Sequence, residues 1–141
     1  MTAISQTRPV LALAQAQSIL DAAEAGAAAK GIALSLAVLD DGGTLLAFRR
    51  MDGVHVGTVD VAIAKARAVI LFKRPTSAFA KGLADGNLAL LSLPGVVPLA
   101  GGVPISIGGA FAGAIGISGS SPENDEAIAE LGAAAPSEGG E

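Results

Sequence analysis

The apolar residues in the first third of the chain recur at two different spacings. From Pro9 to Lys30 they repeat every three or four positions, which is typical of an amphipathic helix, and Gly31 suits its end. Residues 32–39 form a short apolar run that predicts a buried strand. A partner strand is predicted over residues 44–50, because the Asp-Gly-Gly cluster between the two runs favours a hairpin turn.

Two further helices and a second hairpin are predicted in the middle of the chain. The second helix covers residues 58–72, and Thr76 is the expected N-cap of a short third helix that ends at Gly82. The second hairpin turns at Gly108-Gly109, and its second strand, 110–117, is apolar on both faces and should be central. Pro104 indicates that the first strand of this hairpin starts there or lies at an edge of the sheet.

A last helix completes the predicted order of helix, hairpin, two helices, hairpin and helix. It covers residues 123–132, with Ser121 as N-cap and acidic residues in its first turn. Tight turns between adjacent strands predict a largely antiparallel sheet with helices packed on it, an α+β fold. We expect one domain over residues 9–132, a flexible N-terminus over residues 1–8 and a disordered tail over residues 133–141.

The composition narrows the possible chemistry. The chain has no cysteine and one histidine, so disulfides and thiolate metal sites are excluded and no metal centre is predicted. The net charge is −4 and no stripe of Lys and Arg is present, which argues against nucleic-acid binding. Glycines and prolines interrupt the apolar stretch 96–117, so no membrane span is predicted. With no recognisable signal peptide, we expect a cytoplasmic protein.

The low charge content also predicts self-association. Charged residues make up 16% of the chain, against roughly 25% in typical soluble proteins. Such a chain has little charge with which to cover a monomer's whole surface. We therefore expect a homo-oligomer.

Five short motifs, in this order and spacing, resemble the GlcG/HbpS-like family over about residues 10–132. They are Ala37-Val38-Leu39-Asp40 with Gly42-Gly43, Phe48-Arg49-Arg50-Met51-Asp52-Gly53, Ala62-Ile63-Ala64-Lys65-Ala66, Gly101-Gly102-Val103-Pro104-Ile105, and Gly113-Ala114-Ile115-Gly116-Ile117-Ser118-Gly119 followed by Asp125-Glu126. The resemblance implies a profilin-like antiparallel sheet of about five strands flanked by helices, and assembly into oligomers. Some members bind haem, including the C-terminal domain of a cobalamin adenosyltransferase, so haem is a candidate cofactor. Others belong to catabolic operons and have no settled activity.

The segment that follows the first hairpin holds one group of candidate site residues. Arg49 or Arg50 could clamp a carboxylate or a haem propionate, although neighbouring strand residues face opposite sides and at most one should face a given pocket. The alternative is an ion pair between one arginine and Asp52 or Asp40 that pins the hairpin. Met51 could be an axial haem ligand or a core residue. His55 is the natural haem ligand or general base, or else a polar loop residue.

A second group comes from the later motifs. Lys65, among alanines on a helix, could be a buried cation that binds an anion, or a solvated side chain. The amides of Gly101 and Gly102 could form an anion-binding concavity, or simply a turn. Ser118 and Gly119 end the central strand beside the last helix's N-terminus, where an anionic ligand would be favoured. Asp125 in that helix could be a catalyst, or else a cap or a partner of the helix dipole.

Three functional hypotheses remain open. The leading one is an oligomeric protein that binds a small anionic or planar ligand, with haem as one candidate. The second is a cofactor-independent isomerase, lyase or hydrolase acting on a small carboxylate metabolite, with Lys65, Arg50 and Asp52 or Asp125 as its acid–base set. The third is a structural assembly partner of a catabolic enzyme.

Overall fold

A computed structural model describes residues 4–138 of the chain. The elements in chain order are α1 (Leu13–Ala29), β1 (Ser35–Asp40), β2 (Leu45–Arg50), α2 (Gly57–Phe72), α3 (Thr76–Ala84), a 3₁₀ turn (Leu88–Ser92), β3 (Gly102–Ile107), β4 (Ala110–Ser118) and α4 (Pro122–Glu138). The four strands form one antiparallel sheet in the order β2-β1-β4-β3. The predicted α+β fold is confirmed, with four strands in place of about five.

Both faces of the sheet are buried, which explains why β1 and β4 read as continuous apolar runs. Leu36 and Val38 of β1 face the layer formed by α1 and α4, whereas Ala37 and Leu39 face α2. The strand β4 pairs with β1 on one side and β3 on the other, as predicted for a central strand. β3, which contains Pro104, lies at an edge.

Small residues allow α2 to lie very close to the sheet. A Cβ atom added at Gly116 of β4 would lie 2.0 Å from the carbonyl oxygen of Ala62 and 2.7 Å from the amide nitrogen of Ala66. Glycine is therefore required at position 116 for packing, although its own φ is not positive. Ala62 and Ala66 of α2 thus form part of the close contact with the sheet.

Two helix starts differ from the sequence predictions. The helix α1 begins at Leu13 rather than in the region of Pro9. At this start, the side chain of Gln15 accepts a hydrogen bond from the Ala12 amide at 2.9 Å. Thr76 is not an N-cap, because Pro75 occupies that position. The Thr76 hydroxyl instead accepts the Gly102 amide at 2.9 Å and so ties α3 to the start of β3.

The C-terminal helix is longer than predicted. Ser121 caps it as expected, since its hydroxyl accepts the Asn124 amide at 3.1 Å. Residues 133–138, predicted as the beginning of a disordered tail, are helical, and Ala133 and Ala135 pack against the core. Alanine is the strongest helix former, and this contact supports the added turns. The remainder of the predicted tail, 139–141, lies outside the described residues.

The N-terminal segment has no regular structure over residues 4–12, and residues 1–3 of the predicted flexible N-terminus lie outside the described part. Arg8 nevertheless forms an ion pair with Asp41 of the first hairpin turn. Within residues 4–138, no helix combines the length and the apolar character needed to cross a bilayer.

Candidate functional site: a buried lysine and an exposed strand end

Lys65 is buried in the middle of α2 and contacts two oxygen atoms. Its ammonium donates to the Ile117 carbonyl at 2.9 Å and to Asp125 Oδ2 at 3.2 Å. Lys65 and Asp125 are each 3% exposed. Burial lowers the pKa of Lys65, and the nearby Asp125 charge opposes that change.

The lysine takes the place of a strand-to-strand hydrogen bond at the point where β3 and β4 diverge. Ile117 donates its amide to the Gly101 carbonyl at 2.9 Å, while its own carbonyl receives the Lys65 ammonium. Gly101 has a φ of 134°, and an added Cβ would lie 2.7 Å from Lys65 Nζ and 2.5 Å from the Ile117 oxygen. Glycine at this position therefore makes room for the ammonium.

Asp125 has both carboxylate oxygens engaged. Oδ2 contacts Lys65, and Oδ1 accepts the backbone amide of Ser120 at 3.0 Å. The aspartate lies in the first turn of α4, where the helix dipole favours a negative charge. Because α2 and α4 cover opposite faces of the sheet, the Lys65–Asp125 pair joins the two helical layers around the sheet's end.

The structure brings together much of the second group of predicted residues, but in a closed arrangement. Lys65, Gly101, Gly102 and Asp125 surround the end of β4, next to Ser118. The amide of Gly102 is bound by Thr76, and among the described residues every buried side-chain nitrogen or oxygen has a hydrogen-bond partner. The geometry thus assigns these residues a clear structural role and offers no open approach for a substrate to Lys65.

Arg49 is also committed to contacts within the chain. It pairs with Asp21 at 2.8 Å and Glu24 at 2.9 Å, and it donates to Gln17 at 2.7 Å, all on α1. Burial acts to lower its pKa, but hydrogen bonds and charges from the two acids raise it overall. A shallow depression of about 310 Å³ next to this cluster is lined by Asp21, Glu24, Ala25, Ala28 and Arg49. An ion pair therefore holds Arg49, but its partners lie on α1 and are not the expected Asp52 or Asp40.

Arg50 points to the other face of the sheet and is exposed. Its strand position pairs with Ser35 of β1, and Ser35 pairs in turn with Ser118 of β4. The hydroxyl of Ser35 lies 2.8 Å from that of Thr58, which donates to the His55 carbonyl at 2.8 Å. These contacts hold Arg50 and the segment around His55 at the same end of the sheet.

The remaining candidates lie between these two residues. Met51 is half-buried, packs against the core and donates its amide to the Leu34 carbonyl at 2.9 Å. Asp52 is exposed in the turn that follows, and among the described residues it forms no hydrogen bond or ion pair with Lys65 or Asp125. His55 is exposed, and so is its neighbour Val56 at 72%. Gly119 packs tightly beside Val54, whose Cγ2 would lie 2.9 Å from an added Cβ.

Sequence reasoning missed the hydroxyl groups that organise this end of the sheet. Ser35 and Thr58 read as ordinary strand and helix residues, and Thr76 read as a cap. The one signal in the sequence is that Ser35 and Thr58 lie among apolar residues of segments predicted to be buried. A hydroxyl buried there needs a hydrogen-bond partner.

The comparisons with known proteins agree with the motifs. A family model described as "Haem degrading protein HbpS-like" matches residues 11–134. The chain belongs to the HbpS-like family. Protein GlcG of Escherichia coli strain K12 is 34% identical over 113 residues, covering 80% of this chain and 84% of GlcG.

Solved structures of similar proteins share the fold over nearly the whole chain. The Klebsiella pneumoniae protein ORFY superposes with a TM-score of 0.88 at 27% identity, covering 97% of both chains. A double mutant of Streptomyces reticuli HbpS gives 0.82 at 35% identity, covering 95% of this chain and 94% of that one. A PduOC–haem complex gives 0.81 at 25% identity, covering 90% and 95% respectively.

Proposed function

We propose that this HbpS-like chain binds a planar, anionic small molecule, with haem as the leading candidate, at the end of the sheet that carries Arg50 and His55. The family description names haem, and a structural relative is described as a haem complex. Both support haem as the first ligand to test. The proposed location rests on the positions of Arg50 and His55 in this chain.

One observation supports this location for the ligand. Arg50 and His55 are exposed at the same end of the sheet, whereas Arg49 and Lys65 form ion pairs within the chain. An imidazole is a common axial ligand of haem iron. A guanidinium can bind a propionate through two parallel hydrogen bonds. The exposed side chain of Val56 would add apolar contact to the macrocycle. Arg50, His55 and Val56 therefore fit haem, which would supply the iron chemistry when bound.

A haemin titration followed by the Soret band tests this proposal. We expect a sharp, saturable band in the wild type, loss of that band in His55→Ala, and weaker binding in Arg50→Met. Arg67→Met is the matched control, because Arg67 is also exposed but donates to the Gly43 carbonyl at the opposite end of the sheet. The proposal is wrong if haemin binds no more tightly than to an unrelated protein, or if His55→Ala keeps the wild-type band.

We also propose that the chain works as a homo-oligomer. Leu71 near the end of α2, Leu88 and Leu91 of the 3₁₀ turn, and Leu93 and Leu99 of the segment that leads to β3 are all exposed, between 37% and 68%. Monomeric proteins seldom leave a large contiguous apolar surface in water. Analytical ultracentrifugation should show an assembly that dissociates when Leu88 and Leu91 are both changed to Gln. A wild-type monomer across the accessible concentration range would contradict this.

A further inference from the structure

The segment between Arg50 and His55 contains a dipeptide that is prone to a backbone rearrangement. The chain has three Asp-Gly pairs, at Asp41-Gly42, Asp52-Gly53 and Asp85-Gly86. Glycine has no side chain to hinder attack by its amide nitrogen on the preceding aspartate's carboxyl carbon. All three pairs share this intrinsic chemistry, so their structural surroundings decide which one reacts.

Two of the three pairs have their reacting groups engaged. Asp41 pairs with Arg8, and the Gly42 amide donates to Asp40 Oδ1 at 3.0 Å. Asp85 pairs with Lys81 at 3.0 Å, and the Gly86 amide donates to the Leu83 carbonyl at 3.0 Å. An amide that donates a hydrogen bond is held in place and is a poorer nucleophile.

The third pair has no such restraint. Within residues 4–138, neither the carboxylate of Asp52 nor the amide of Gly53 makes a hydrogen bond or an ion pair. Both residues are exposed. Gly53 has a φ of 91°, and no atom would lie within 4 Å of an added Cβ. The turn therefore leaves the nucleophile, the Gly53 amide nitrogen, without a hydrogen bond and gives room for a five-membered ring to close.

We propose that Asp52-Gly53 is the selective site of isoaspartate formation in the folded protein. The Gly53 nitrogen attacks Cγ of the protonated Asp52 carboxyl, the new C–N bond closes a succinimide, and the carboxyl hydroxyl leaves with the amide proton as water. Water then adds to either carbonyl of the ring. Opening at one carbonyl restores aspartate, and opening at the other routes the main chain through the side-chain carboxyl.

The isoaspartate lengthens the main chain by one methylene group between Arg50 and His55. If the proposed ligand site is correct, this insertion changes the distance between the guanidinium and the imidazole and weakens ligand binding as the protein ages. This consequence rests on the proposed function, whereas the modification itself does not. The product is also a substrate for the class of methyltransferase that esterifies isoaspartyl carboxyl groups.

Prolonged incubation of the folded chain, followed by peptide mapping with electron-transfer fragmentation, tests the proposal. Trypsin releases Met51–Lys65, which holds the site, and isoaspartate leaves the peptide's mass unchanged while giving distinct backbone fragments. We expect isoaspartate at position 52 to exceed that at positions 41 and 85 severalfold, and to accumulate faster in mildly acidic buffer. In urea-unfolded protein the three pairs should react at similar rates.

The variant Asp52→Glu provides the matched control, because closure of a six-membered ring is much slower. It should remove the modified form of this peptide and leave the other two pairs unchanged. Haemin affinity should then fall on ageing in the wild type but stay constant in Asp52→Glu. The inference is overturned if the folded wild type shows no excess at position 52, or if the unfolded chain shows the same preference, whatever the haemin result.

Discussion

Replacing Lys65 with methionine is the sharpest test of the buried pair at the end of the sheet. Methionine keeps most of the side chain's length and apolar contact but removes the ammonium. Asp125 Oδ2 then loses its partner, which lies 3.2 Å away in the wild type, and the Ile117 carbonyl loses the donor at 2.9 Å. Both acceptors stay buried, so water cannot easily replace the lysine.

The expected loss is large for a single substitution. Removing one partner of a buried ion pair typically costs about 3–5 kcal/mol, mainly because the other charge is left uncompensated. An unsatisfied buried carbonyl costs about 1–3 kcal/mol on its own, but the two costs overlap because the ammonium's own desolvation is removed as well. We therefore expect Lys65→Met to lower the free energy of unfolding by about 3–5 kcal/mol.

A double-mutant cycle with Asp125→Asn separates the pair from general damage to packing. Asparagine keeps an oxygen for the Ser120 amide but carries no charge. In Lys65→Met/Asp125→Asn the uncompensated carboxylate is gone, so the double variant should be more stable than Lys65→Met alone. The coupling should be about 0.5–3 kcal/mol, the range found for residues in direct contact.

Urea unfolding followed by far-ultraviolet circular dichroism is the suitable assay, because the chain has no Trp or Tyr for fluorescence. The measurements should be made at fixed protein concentration, since assembly would add to the apparent stability. A cost below about 1 kcal/mol for Lys65→Met, the size of an average substitution, would refute this account of the buried pair. So would strictly additive effects in the cycle.

The remaining predictions concern the pKa of Lys65, the contact between α2 and the sheet, and Arg49. Burial lowers the pKa of Lys65 in the folded chain below its unfolded value of 10.5, so between these two values the unfolded chain binds more protons and stability rises with pH. As the pH rises towards 10.5, the urea midpoint of the wild type should therefore rise relative to that of Lys65→Met. A relative fall would contradict the direction of this pKa shift. Gly116→Ala should lower the free energy of unfolding by about 1–3 kcal/mol or more through overpacking, because its Cβ would lie 2.0 Å from the Ala62 oxygen. Gly57→Ala is the control, because nothing lies within 4 Å of its added Cβ. In the same urea assay it should be neutral or slightly stabilising. Arg49→Met should cost only about 0–1 kcal/mol, because its partners on α1 are partly exposed, and the loss should shrink in high salt.

Some features of this protein follow from local sequence alone. Hydrophobic periodicity and glycine turns predict α1, α2 and both hairpins, because helix and strand periods and positive φ angles are properties of neighbouring residues. The same reasoning gives the central place of β4 from its two apolar faces. Pro104 allows either a strand start or an edge position, and the structure shows the edge position, with β3 starting earlier at Gly102. The order of the motifs is enough to suggest the HbpS-like family.

The tertiary structure decides the role of each candidate residue. Arg49 and Arg50 are adjacent and chemically identical, but α1 supplies Asp21 and Glu24 to only one of them. Lys65 and Asp125 are 60 positions apart, and only packing of α2 and α4 around the end of the sheet turns two ordinary charges into one buried pair. Thr76 has the sequence context of a cap, yet its hydroxyl binds Gly102 because α3 lies against the start of β3. Contacts between residues distant in sequence depend on how the layers pack, and local pattern carries no information about that packing.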